Sequence, residues 1–142
     1  MGFSLLELLI ALTMMAVLVG SGMPGLQQTI ERVQMQTLMH SWLLVLQQNK
    51  TRAMADNRQI TVALDELARQ PSLTVDSRAG WQFSHNYSPS AALVFDGQRG
   101  YARAGSLQLQ SPQLAVKIII SGLGRIRSCQ SAGQPLAGLS SC

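Results

Sequence analysis

Residues 8–30 form a run of 23 positions without one ionisable side chain, and residues 8–19 are almost wholly apolar. At the α-helical rise, a helix over residues 3–23 is long enough to cross a hydrocarbon core of ~30 Å. Beyond Pro24-Gly25 the pattern turns amphipathic. Ile30, Val33, Leu38, Trp42, Val45, Leu46 and the stretch 49–53 recur at three- and four-residue intervals, flanked by Gln, Arg and Lys. That spacing predicts a continuation of the same helix, with Pro24-Gly25 as the place for a bend, ending near Asp56-Asn57. Trp42 and the methionines of the stripe read as core residues, not as a cofactor box. After Asn57 the period becomes two. Ile60, Val62 and Leu64 alternate with Gln59, Thr61 and Ala63, Leu107 and Leu109 alternate with Gln108 and Gln110, and residues 114–120 are apolar and rich in β-branched side chains. These predict strands. Asp96-Gly97 after Ala92-Leu93-Val94-Phe95 predicts a hairpin near residue 97, with residues 99–103 as its second strand. The segment 71–90 reads as loop around a short Trp81-Gln82-Phe83 run. The whole is an α+β chain: a long N-terminal helix packed on antiparallel sheet.

Composition sharpens this picture. A length of 142 residues allows one small domain, and charged residues at 13% are roughly half the usual ~25%, a deficit that belongs to the membrane segment. A cleaved signal peptide would need a basic n-region and a small-residue cleavage site after the apolar run, where this chain instead becomes amphipathic. With two His and two Cys, a four-ligand His/Cys zinc site would use every one of them, so no metal or cofactor is expected. The search for catalytic chemistry is equally unproductive. Asp65-Glu66 is placed at a strand end beside Arg69, His40 in the helical region and His85 in a loop, and nothing pairs a nucleophile with a base. Gly122-Leu123-Gly124 lacks the third glycine of a dinucleotide fingerprint and leads into a strand pattern. An enzyme is not expected.

The formal net charge of +4 admits anionic partners, and its distribution is uneven. Asp96 is the last acid, so residues 97–142 carry Arg99, Arg103, Lys117, Arg125 and Arg127 against nothing negative. In Gly124-Arg125-Ile126-Arg127 the two arginines stand at i and i+2, which in an extended chain point to one face while Ile126 points to the other as an anchor. Two strand steps of ~3.3 Å separate the guanidinium forks by about 7 Å, a match to successive phosphates of nucleic acid. Gly124 adds no side chain to block close approach. Arg99, Tyr101 and Arg103 on the expected second hairpin strand offer two further cations and a stacking ring. A solvated face with harmless arginines is the bland alternative. Cys129 and Cys142 are an even pair in a part of the chain expected outside the cytoplasm, which predicts a disulfide closing a Gly/Ser/Gln/Pro-rich loop, with an effect of ~3 kcal/mol for a loop of that size.

Gly2-Phe3-Ser4-Leu5-Leu6-Glu7-Leu8-Leu9-Ile10 resembles the processing site of type IV pilins and type II secretion pseudopilins. The resemblance implies cleavage after Gly2 by a prepilin peptidase, N-methylation of Phe3, and pairing of Glu7 with the terminal amine of a neighbouring subunit. Glu7 needs such a partner, since a carboxylate inside a bilayer costs ~2.5 kcal/mol or more. Only Met1-Gly2 precedes the junction, where the family carries a basic leader. Further along, Phe95-Asp96-Gly97-Gln98-Arg99-Gly100, Gly105-Ser106-Leu107 and Ile120-Ser121-Gly122-Leu123-Gly124-Arg125-Ile126-Arg127 with its following cysteine resemble the FimT/GspH family of minor pilins and pseudopilins. The resemblance implies residues 1–2 as leader, 3–28 as transmembrane and assembly helix, and 29–142 as the periplasmic or extracellular pilin domain. Its FimT-type members bind double-stranded DNA for natural transformation through a Gly-Arg-x-Arg segment, carried here by Gly124, Arg125 and Arg127, with Lys117, Arg99 and Arg103 as supplementary cations. It further implies the inner membrane before assembly, then the pilus with other pilin subunits. GspH-type members share the fold without necessarily sharing the DNA role, so a structural pilin or secretion pseudopilin is the alternative.

Overall fold

The computed structural model of the chain describes residues 4–71, 73, 80–88 and 90–142, with the backbone alone at 21–24. The Gly2-Phe3 junction and residues 72, 74–79 and 89 lie outside the described residues. Helix α1 covers Leu5–Ala55. Ser4 caps it: its hydroxyl accepts from the Leu6 N–H at 3.2 Å and its carbonyl from Glu7 and Leu8. Ser4-Leu5-Leu6-Glu7 has the Ser-x-x-Glu spacing of a capping box, so Glu7 sits in the first helical turn, where an acid is favoured by the helix dipole. At the other end Asn57 takes a left-handed backbone (φ 49°), the Arg58 N–H reaches back to the Ala53 carbonyl and the Asn57 N–H to Met54. This is a Schellman stop, so the expected end near Asp56-Asn57 is met.

Residues 1–33 and 34–142 are separate compact units. In the first, α1 is long and apolar enough to cross a membrane, and Leu5, Leu6, Leu8, Leu9, Ile10, Leu12, Val17 and Leu18 are all exposed. The second unit holds the α+β domain. Its helical stretch buries Met35, Leu38, Met39, Trp42, Leu46 and Ala53. At about 100° per residue these fall within a sector around Trp42, whereas Val33 lies about 180° away. Ile30 and Val33, expected in the stripe, are therefore exposed.

Two antiparallel sheets complete the domain. The larger has the order β2-β4-β5-β6, from Gln82–His85, Gly105–Gln110, Ala115–Ile120 and Ile126–Ala132. Its inner face presents Phe83, Leu107, Leu109, Val116, Ile118 and Ile120 to the core that the helix shares, and the Trp42 and Phe83 rings stack at 4.8 Å between centroids. The smaller sheet pairs β1 (Ile60–Ala63) with β3 (Ala92–Phe95). Three expectations are corrected here. Leu64 does not continue β1 but opens the short helix α2 (Leu64–Leu67), which takes Asp65 and Glu66 with it. The expected loop at 71–90 contains β2, and His85 is its last residue rather than a loop residue. The chain reverses near residue 97 as expected, with the Asp96 N–H bonded to the Tyr101 carbonyl (2.8 Å) and the Arg103 N–H to the Val94 carbonyl (2.9 Å) around the antiparallel Phe95–Ala102 bridge, but residues 99–103 form no regular strand, and the strand partner of β3 is β1.

Candidate nucleic-acid interface

The Gly-Arg-x-Arg segment leaves the β5–β6 hairpin. Ile120 pairs with Ile126, and residues 121–125 make the connection, closed by Ser121 N–H to the Arg125 carbonyl (2.9 Å), Gly124 N–H to the Ser121 carbonyl (2.9 Å) and Arg125 N–H to the Ser121 hydroxyl (3.1 Å). Arg125 and Arg127 are exposed, and Ile126 packs against the core between them. The alternation expected from i and i+2 spacing is present, with Arg125 just outside β6 and Arg127 inside it.

Gly124 does something other than what its sequence position implied. It is buried, its backbone is left-handed (φ 71°), and a Cβ there would collide with the Gly100 carbonyl. The missing side chain makes room for the chain's own 97–100 turn rather than for a ligand, while the Ala102 N–H bonds to the Gly122 carbonyl at 3.1 Å. Gly97 is equally tight, its absent Cβ facing the Ala53 carbonyl and the Arg58 backbone at the end of α1. Three segments remote in sequence thus stack together: the last turns of α1, the turn at 97–100 and the turn at 121–124. Lys50 joins them, its Nζ donating to the Gly124 carbonyl at 2.8 Å. Sequence reasoning passed over Lys50 because it lies in a helical stretch outside the acid-free third. Nothing local marks it.

The supplementary cations divide. Lys117 stands opposite Cys129 on the outer face of β5, and Arg127 opposite Ile119 on the same face, so the two are diagonal neighbours. They line a recess of about 350 Å³ with Ile119, Ser128, Ser140 and Ser141. Arg99 is exposed on the 97–100 turn. Arg103 is exposed as well and stands outside any regular strand, which corrects the expectation of a second arginine strand. Its guanidinium donates to the Ser90 hydroxyl and the Ser88 carbonyl, each at 2.9 Å, and lies 5.9 Å from the Tyr87 ring centroid. It holds Ser88 and Ser90. Tyr87 in turn donates its hydroxyl to the Arg103 carbonyl at 3.1 Å, and burial pushes its pKa up to about 12 against the lowering effect of Arg103.

Cys129 and Cys142 form the expected disulfide. The loop it closes is also ordered from within. The Gln130 amide, buried, donates to the Ala132 and Gln134 carbonyls and accepts from the Leu136 N–H at 2.8 Å, and Leu136 enters the core. The backbone of Gln130 bonds to Ser140 and Cys142, so the tail lies beside β6. Composition marks this Gly/Ser/Gln/Pro-rich loop for closure by the disulfide but does not reveal the buried Gln130 amide, which uses both its N–H donors and its oxygen. Elsewhere, His85 Nε2 lies 3.1 Å from Asp65 Oδ1. Comparison with protein-family models, curated proteins and solved structures gives no match to this chain.

Proposed function

We propose that the protein is a minor type IV pilin that binds extracellular double-stranded DNA without sequence preference for uptake in natural transformation. Its apolar helix holds it as a single-pass protein of the inner membrane before prepilin peptidase processes it and it joins other pilin subunits in the filament. The observation that supports the DNA role is the exposure of Arg125 and Arg127 on either side of the anchored Ile126, in a stretch of sequence, 97–142, without acids. Such guanidiniums contact phosphates and carry no sequence code, so affinity should fall steeply with salt. Lys117 and Arg99 add cations near by, and Arg103 contributes by shaping the domain rather than by contact.

The test is duplex binding by the full chain in detergent micelles. Unrelated duplexes should bind alike, and Arg125→Gln with Arg127→Gln should remove most of the affinity and shallow the salt slope by about two, one per lost phosphate contact. The fold should survive, since both side chains are exposed and Ile126 remains. A double variant that binds like the parent removes the site assignment. A parent that binds no duplex at low salt leaves a structural pilin or secretion pseudopilin in its place.

A further inference from the structure

Resting on this DNA-binding reading, we propose that Lys50 is a positioning residue for the Arg125-Arg127 segment, holding from α1 the turn that sets the direction in which both guanidiniums leave the sheet. Within the turn at 121–125 the Ser121, Gly124 and Arg125 N–H groups are bonded, but the turn offers no backbone donor to the Gly124 carbonyl. Lys50 supplies the donor for that carbonyl, 74 residues away in sequence. It is placed to do so because it lies about 80° around the helix from Trp42, at the margin of the buried sector, where it is half-buried and its ammonium meets the Gly124 carbonyl.

The bond is an ammonium to a neutral carbonyl, shorter and stronger than a bond between neutral groups. Among the described residues no carboxylate lies within ion-pair distance of Lys50, so its charge is added to the basic surface rather than cancelled. Gly124 cannot be shifted to compensate, because Gly100 abuts it on the side where a Cβ would stand. The launching point of the two arginines is thereby fixed between the helix and the 97–100 turn. A phosphate-binding segment fixed before the encounter avoids the ordering cost that a loose one incurs on binding.

Positioning and direct phosphate contact give different results. With the full chain in micelles, Lys50→Met keeps the length of the stem and removes the donor. Amide exchange at Gly124 and Arg125 should then quicken about tenfold, as a local opening, while Ile118 and Ile120 keep their protection. Duplex affinity should fall about three- to tenfold with the salt slope unchanged, because lost preorganisation removes no phosphate contact. Lys50→Arg, which keeps a cationic donor, should restore part of the protection and of the affinity. Unchanged exchange in Lys50→Met overturns the proposal. A salt slope shallower by about one overturns it in favour of a direct contact. If the parent binds no duplex while the exchange effect persists, the DNA-binding reading fails and the tie between Lys50 and the turn stands apart from it.

Discussion

Tyr87 shows how a single side chain can carry a pH dependence. Its hydroxyl is buried, donates to the Arg103 carbonyl, and has its pKa raised to about 12 chiefly by burial. Above pH about 10 an unfolded chain loses this proton while the native state keeps it, so the native state binds more protons and stability falls as pH rises from about 10 to about 12. Tyr87→Phe should cost about 1 kcal/mol at neutral pH, through the lost hydrogen bond, and should remove this alkaline contribution. Denaturant titrations of parent and variant at pH 7 and pH 11 measure both, and a pH dependence identical in the two would refute the assignment. Gly124 and Arg103 teach a related lesson. Each was singled out in the sequence as facing a ligand, and each is engaged by its own chain: Gly124 because Gly100 fills the space beside it, Arg103 because its exposed guanidinium donates to Ser88, Ser90 and Ala92.

At the scale of elements, helix α1 was legible from composition and spacing, and its two ends follow from Ser4 and Asn57. The phase of its buried face was only half legible. Leu38, Trp42, Leu46 and Ala53 were in the expected stripe and Met35 and Met39 are core as expected, while Ile30 and Val33, also expected in the stripe, are exposed. Apolar residues occur on more than one side of this helix, and the pattern alone does not say which side meets a sheet. Trp42→Ala should cost about 3–5 kcal/mol, since the ring is fully buried against Phe83, whereas Val33→Ala should stay within about 0.5 kcal/mol. Unfolding of the two variants in the same detergent makes the comparison. Equal losses would place the wrong face of α1 against the sheet. The strand alternations at 60–63, 105–110 and 115–120 were readable because one face of each is buried, but the partner of β3 was not, since pairing with β1 depends on chain 30 residues away.

At the scale of the molecule, the disulfide and the stacked turns determine how the basic surface is held. Replacing Cys129 and Cys142 by alanine should lower stability by about 3 kcal/mol. It should weaken duplex binding less than the double arginine substitution, because Gln130 and Leu136 still tether the tail while Arg125 and Arg127 remain. Thermal unfolding and a salt-titrated binding curve report the two effects, and a loss of binding as large as that of the arginine variant would mean that the tail itself is the contact surface.

By itself the sequence determined the features set by local chemistry and spacing. They are an apolar helix of membrane-spanning length, an α+β class, an acid-free C-terminal third, a cysteine pair, and two arginines separated by an anchoring isoleucine. Each depends on residues within a turn or a strand of one another, or on composition. The tertiary structure decided what depends on contacts between distant segments: the partner of β3, the outward phase of Val33, the engagement of Arg103, the packing of Gly124 on Gly100, and the arrival of Lys50 at the Gly124 carbonyl. The physical reason is that a side chain's direction is set by its own backbone, but its neighbour is set by which remote faces the core brings together.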